Sequence, residues 1–145
     1  MGVIVCATGN GDTSRIVQNR AVDIARRERK RLIFIHVVDV KRLGDLEEGL
    51  VPAAEMELAW LGQAVLRLAR DRARRSGVDA DIAIRYGQVQ SSLEAFVREH
   101  DTDVLLLGQP TNDALLDFAH QVEEDTGVPV QLITTNQDTE RRERR

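Results

Sequence analysis

Five short apolar runs divide the chain, and stretches of helical period separate them. Val3–Ala7 (VIVCA) is the first run and Leu32–Val40 (LIFIHVVDV) the second, the latter rich in β-branched residues. Ala80–Arg85 alternates, with Ala80, Ile82 and Ile84 set against Asp81 and Arg85, as in a half-exposed edge strand. Val104–Leu107 is unbroken and Val130–Thr134 closes the set. An unbroken apolar run is the mark of a parallel strand buried on both faces.

Between the runs the period changes to that of a helix. Asp12 or Thr13 can cap a first helix reaching about Arg31, with Val17, Ala21, Ile24 and Ala25 on one face. Ala53–Arg75 is the longest helical pattern, with Leu58, Leu61, Val65, Leu68 and Arg72 as its stripe and Gly77 as a left-handed cap. Ser91 or Ser92 opens a short helix that turns Leu93, Phe96 and Val97 inward. A fourth helix covers about Asp113–Glu124, and Gly127-Val128-Pro129 stops it. Lys41–Pro52 reads as a polar loop able to close over a ligand.

Strands alternating with helices imply right-handed crossovers and a parallel sheet. The expected fold is α/β: three layers, doubly wound, around a five-stranded mostly parallel sheet of Rossmann-like type. Residues 1–136 are expected to form one domain, and 137–145 (QDTERRERR from Gln137) a charged, disordered tail. In such sheets ligands sit at the carboxyl ends of the strands. The two loops to search are therefore Thr8–Asp12 and Gly108–Asp113.

Composition narrows the function. The chain has 145 residues, 42% apolar and 30% charged, with a net charge of −4. That balance gives no bulk attraction to nucleic acid or to a membrane surface. Arginines crowd Arg26–Arg31 and Arg67–Arg75, but without interleaved aromatics they read as solvated helix faces. One cysteine, Cys6, lies inside an apolar run, so a disulfide framework is excluded and a cytoplasmic setting is expected. The opening MGVIVCATGN lacks the basic segment and long apolar core of a secretory leader. His36, His100 and His120 have no metal-ligand spacing. Each loop keeps two readings open: a small ligand site, or a plain strand-to-helix turn with a cap. Thr8-Gly9-Asn10-Gly11-Asp12 is neither a Walker loop nor a dinucleotide fingerprint. Thr8 and Asn10 stand where a phosphoacceptor receiver domain would need acids.

The order of these pieces resembles the universal stress protein family over about residues 2–136. VIVCATGN resembles the family's opening strand and its Asp-Gly-Ser turn, and LIFIHVVDV its Leu-x-x-x-His-Val-Val stretch. GQVQSSLEAFVREHDTDVLLLG resembles the third-helix region and the strand that ends in Gly, and GVPVQLIT the closing strand. Nucleotide-binding members carry Gly-x-x-Gly, nine residues, then Gly-Ser or Gly-Thr after that strand. Here Gly108 matches the first glycine, but Thr111 stands at the second and Gln121-Val122 at the Gly-Ser pair. The adenine-accepting acid aligns with Thr8, and Val38 with a backbone contact to the base.

The resemblance implies a dimeric stress-response protein with a degenerate nucleotide pocket and no enzyme activity, acting as a binding module. The candidate pocket residues are Thr8, Gly9, Asn10, Val38, Gly108, Gln109 and Asn112. No cofactor is expected beyond weak adenine nucleotide binding. The expected partner is a second copy through the last strand, Val130–Thr134. Two alternatives stay open: a protein that binds ATP or AMP and hydrolyses slowly, and a partner subunit in a heterodimer.

Overall fold

The computed structural model describes residues 2–9, 12–108 and 113–133. Five strands form one sheet: β1 (Val3–Ala7), β2 (Arg31–Val38), β3 (Ala80–Tyr86), β4 (Thr102–Gly108) and β5 (Val130–Ile133). Their order is β3-β2-β1-β4-β5, and every pairing is parallel. The alternating third run is indeed an edge strand. Four helices connect the strands: α1 (Asp12–Glu28), α2 (Val51–Arg75), α3 (Val89–Glu99) and α4 (Asp113–Thr126).

The central strands are unbroken apolar runs because both faces are covered. Ile4, Cys6, Leu32, Phe34 and Leu106 point to one side, where Val17, Ala21 and Ala25 of α1 and Leu66, Ala69 and Ala73 of α2 meet them. Val3, Val5, Ile33, Ile35, Leu105 and Leu107 point to the other, against Leu93, Phe96 and Val97 of α3 and Val122 of α4. The result is the expected three-layer, doubly wound α/β architecture. β5 continues the alternation: Ile133 joins the first core, and Val130 and Leu132 pack against the second.

Several boundaries differ from the sequence expectation, each for a local reason. α1 stops at Glu28, not Arg31, because Arg29 adopts a left-handed conformation (φ 55°) and turns the chain into β2. Arg31 already pairs with Val3 as a strand residue. β2 ends at Val38, because the Asp39 carboxylate accepts from the Lys41 N–H at 3.1 Å and diverts Val40–Leu43 into a 3₁₀ turn. The segment read as a polar loop contains that turn and a second at Glu48–Leu50. α2 then opens at Val51, with Pro52 in its first turn, where a missing N–H costs nothing. α3 likewise opens at Val89, ahead of Ser91.

The buried face of α2 is not the leucine stripe. Gly62, Leu66, Ala69 and Ala73 face the sheet, whereas Leu61 and Leu68 are 46% and 54% exposed. Apolar residues surround much of this helix, so periodicity did not select a face. Small residues did, because they let the helix axis lie close to β2 and β3. No helix among the described residues is long and apolar enough to cross a membrane.

Candidate functional site

The sheet order reverses between β1 and β4, so the loops leaving these two strands diverge to opposite faces. A crevice must open there, and ligands of open α/β sheets use it. In this molecule it is about 630 Å³, within the range of small-molecule clefts. Ala7, Ile35, Val37, Leu93, Leu107 and Phe118 make it largely apolar, while Thr8, His36, Asp39 and Arg42 bring polar groups to it.

Of the residues expected in a pocket, Thr8, Gly9, Val38 and Gly108 all line this crevice. Asn10, Gln109 and Asn112 lie outside the described residues, as does Thr134 of the expected dimer strand. Topology therefore unites positions 8, 38 and 108 across three strands. Several lining residues were not identified from sequence: Asp39, Arg42 and Leu43 of the first 3₁₀ turn, Leu58 of α2, and Gln88 and Gln90 at the start of α3. The helical pattern sets Leu58 in the core stripe, whereas the structure turns it to the crevice. The glutamines carried one usable signal, since they follow the Gly87 turn at the carboxyl end of β3.

Thr8 is buried, and its donors are committed. Its backbone N–H and its hydroxyl both donate to the Ile35 carbonyl, at 2.8 and 3.2 Å. Its own carbonyl lies 3.0 Å from His36 Nδ1, which must therefore carry the proton and donate. The Val38 carbonyl accepts from the Gly87 N–H at 3.0 Å. Gly9 N–H donates to the Ser14 hydroxyl at 3.3 Å, and Gln18 Nε2 donates to the same oxygen at 3.1 Å. Arg72 of α2 donates in turn to Gln18 Oε1 at 3.2 Å. The first loop is thus tied down by α1 and, through it, by α2. Among the described residues its polar groups mostly serve the fold, as a capped strand-to-helix turn would.

The fourth loop leaves β4 at Gly108, and α4 begins at Asp113. Gln121 and Val122, the positions that a residue count along the family's motif assigns to its phosphate-binding pair, lie well inside α4. Gln121 is exposed and donates to Asp125, and Val122 is fully buried in the second core.

The other chemically reactive groups serve the fold. Burial pushes the Cys6 thiol far above the usual range, so it is no nucleophile near neutral pH. His100 stacks on Phe96 with ring centroids 4.2 Å apart, and its Nδ1 lies 3.0 Å from the Phe96 carbonyl. A groove of about 560 Å³ follows the outer edge of β3, but its charges are paired: Arg31 with Asp81 at 2.7 Å and Arg85 with Glu99 at 3.9 Å. No group of three or more metal-ligating side chains occurs among the described residues.

Comparison with known proteins agrees with this architecture. No curated protein sequence matches the chain. Among solved structures, a universal stress protein family member from Burkholderia pseudomallei superposes with a TM-score of 0.71 at 22% identity, covering 91% of this chain and 95% of that one. UspA from Lactobacillus plantarum gives 0.74 at 20% identity, covering 91% and 97%. A family protein from Arabidopsis thaliana with AMP bound gives 0.72 at 14% identity, covering 96% and 95%. At such identities these structures establish the fold alone. The family assignment rests on the universal stress protein family model, which matches residues 1–135. The chain belongs to the universal stress protein family.

Proposed function

We propose that this protein is a dimeric, cytoplasmic stress-response member of its family, with a degenerate nucleotide site and no catalytic activity. It works as a binding module. The observation that carries this reading is the short fourth loop: β4 ends at Gly108 and α4 already begins at Asp113, so a residue count along the family's motif sets Gln121 and Val122 inside the helix. Amides in a helix interior donate to the carbonyl four residues back and have no free N–H for a phosphate. Val122 is also fully buried. The loss is therefore one of local structure, not only of residue type. The committed hydrogen bonds of Thr8 and Gly9 support the same reading for the first loop. The dimer is proposed through β5, an edge strand whose free side invites pairing.

A second reading is favoured by the crevice itself. Its apolar lining would take a planar base, and Arg42 would meet a single phosphate, so AMP would enter where ATP would not. The similar Arabidopsis protein was solved with AMP.

The test is nucleotide content and affinity. The purified protein is denatured and assayed for released adenine nucleotide, then titrated calorimetrically with ATP and magnesium and with AMP. No bound nucleotide and no heat up to millimolar ATP are expected. Stoichiometric ATP, or a micromolar dissociation constant (about −8 kcal/mol), overturns the degenerate-site reading. Binding of AMP alone replaces it with the second.

A further inference from the structure

We propose that β3 pairs antiparallel with the β3 of a second copy of this chain, about a two-fold axis at Ala83. β3 is one edge of the sheet, and its far side faces no strand among the described residues. The groove along it opens between Gln63 and Leu66 of α2 and Phe96 and His100 of α3. One hydrogen bond shows which backbone groups face that groove. Tyr86 is in register with Val38, and the Gly87 N–H donates to the Val38 carbonyl at 3.0 Å. In a parallel ladder alternate residues turn to opposite neighbours. Asp81, Ala83 and Arg85 therefore turn their amides and carbonyls to β2, and Ala80, Ile82, Ile84 and Tyr86 turn theirs outward. The Ile84 carbonyl agrees: with no strand beside it, it accepts from Arg85 Nη1 at 2.9 Å. A row of such groups is a template for another strand.

The side chains select the strand and its register. Charges on an edge ordinarily deter pairing, but Asp81 and Arg85 stand two residues either side of Ala83 with opposite sign. A two-fold axis at Ala83 sets Asp81 opposite the copy's Arg85, and Arg85 opposite its Asp81. Ile82 likewise meets the copy's Ile84, and Ala80 its Tyr86, so all 7 residues of β3 pair. The backbone phase fits. The outward residues form the hydrogen-bonded pairs, about eight bonds in all, and the charged residues fall at the closer, non-hydrogen-bonded pairs. The faces match too, because Ile82 and Ile84 pack on the core under α2 and Ala83 on the core under α3. Within one chain Arg31 holds Asp81 and Glu99 holds Arg85, and all four side chains are exposed. Pairing joins them into a row of alternating sign: Arg31, Asp81, then the copy's Arg85 and Glu99. Sliding the copy by two residues sets Asp81 opposite Ala83 or Gly87 instead. A parallel copy in register opposes Asp81 to Asp81 and Arg85 to Arg85. Opposite charges facing across a strand pair stabilise it, and like charges weaken it. The edge is thus complementary to itself and closes as an isologous contact. β5 lies at the other edge of the sheet, so the two contacts are independent.

Disulfide cross-linking tests this edge alone. Cys6 is the one native cysteine and is wholly buried, so a cysteine introduced at position 83 is the accessible thiol. In the proposed pair the two Ala83 Cα atoms lie about 4.5 Å apart, within reach of a disulfide. A contact through β5 instead leaves them at the far edges of two joined sheets, roughly 40 Å apart. The full chain carrying Ala83→Cys, at micromolar concentration in oxidised glutathione, should form a covalent dimer about tenfold faster, or more, than one carrying Asp79→Cys. Asp79 is exposed, but this register holds it roughly 25 Å from its own copy. Added to Ala83→Cys, either Asp81→Arg or Arg85→Asp should slow cross-linking about tenfold. Circular dichroism checks that both variants fold. An equimolar mixture of the two should regain the parent rate, because each then opposes the charge the other carries. Equal rates for Ala83→Cys and Asp79→Cys overturn the proposal. So does a mixture that cross-links no faster than its components.

Discussion

Gly62 of α2 lies directly against the imidazole of His36: a Cβ built on Gly62 would overlap His36 Cδ2 and crowd Nε2 at 2.9 Å. The same imidazole holds the Thr8 carbonyl through Nδ1 at 3.0 Å. One ring thus spaces the long helix from the sheet and fixes the carboxyl end of β1, where the crevice opens.

Replacing Gly62 with alanine therefore sets two effects in opposition. In an unconstrained helix the change would stabilise by about 1 kcal/mol. Here the methyl meets a ring that cannot withdraw without releasing Thr8, and overpacking of this kind costs about 1–3 kcal/mol. Gly62→Ala should lower the melting temperature by several degrees. Gly77→Ala is a poor control because of its positive φ, whereas the open Gly49 position should be nearly neutral. Thermal melts of the Gly62 and Gly49 variants check this. A Gly62 variant as stable as the native chain would show that α2 is free to shift.

Cys6 should be silent in the native state. Its thiol is wholly buried and held protonated by desolvation. A disulfide reagent should label it only as fast as the chain unfolds, and at once in denaturant. The same shift sets a pH dependence. The unfolded thiol begins to lose its proton near pH 9.0 while the folded one keeps it. The unfolded state then binds fewer protons, so stability falls as pH rises above that point, by about 1.4 kcal/mol at pH 10. Urea titrations at pH 8 and pH 10 should show this loss in the native chain and not in Cys6→Ala.

Arg42 stands on the 3₁₀ turn that Asp39 caps, and it lines the crevice. Whatever affinity the site has for AMP should depend on it. Arg42→Ala should weaken AMP by roughly tenfold, the scale of one charge-assisted hydrogen bond, and leave adenosine unchanged. Calorimetry with the two ligands separates these effects. An equal loss for both would place Arg42 against the base instead.

Introducing the family motif's residues at positions 121 and 122 should not confer ATP binding. Gln121→Gly with Val122→Ser replaces a fully buried valine and puts glycine into α4. The glycine costs about 1 kcal/mol, and the lost valine with a buried hydroxyl a further ~2 kcal/mol. ATP affinity of the double variant should be undetectable, because the amides remain inside a helix. Urea melts and ATP titration of the double variant measure both. Gained ATP binding would mean that residue identity, not loop structure, was the missing part.

The alternation of period-two and helical stretches was enough to determine the α/β class, all five strands and the edge position of β3. Those features depend on local pattern: strands buried on both faces must be apolar, and crossovers must be helical. Family membership was also legible, since order and spacing survive where single motifs do not. Gly108 and the Thr8-Gly9 turn could be named because they follow apolar runs whose ends are local properties of the chain, whereas Val38 could be named only through the resemblance to the family. Only the tertiary structure decided what surrounds them. Arg42 and Leu58 reach the crevice through the path of the 3₁₀ turns and the rotation of α2. That rotation was invisible in sequence because α2 is apolar on more than one side. Close approach to the sheet favoured its glycine and alanines over its larger side chains, and this left Trp60 and Leu68 facing outward.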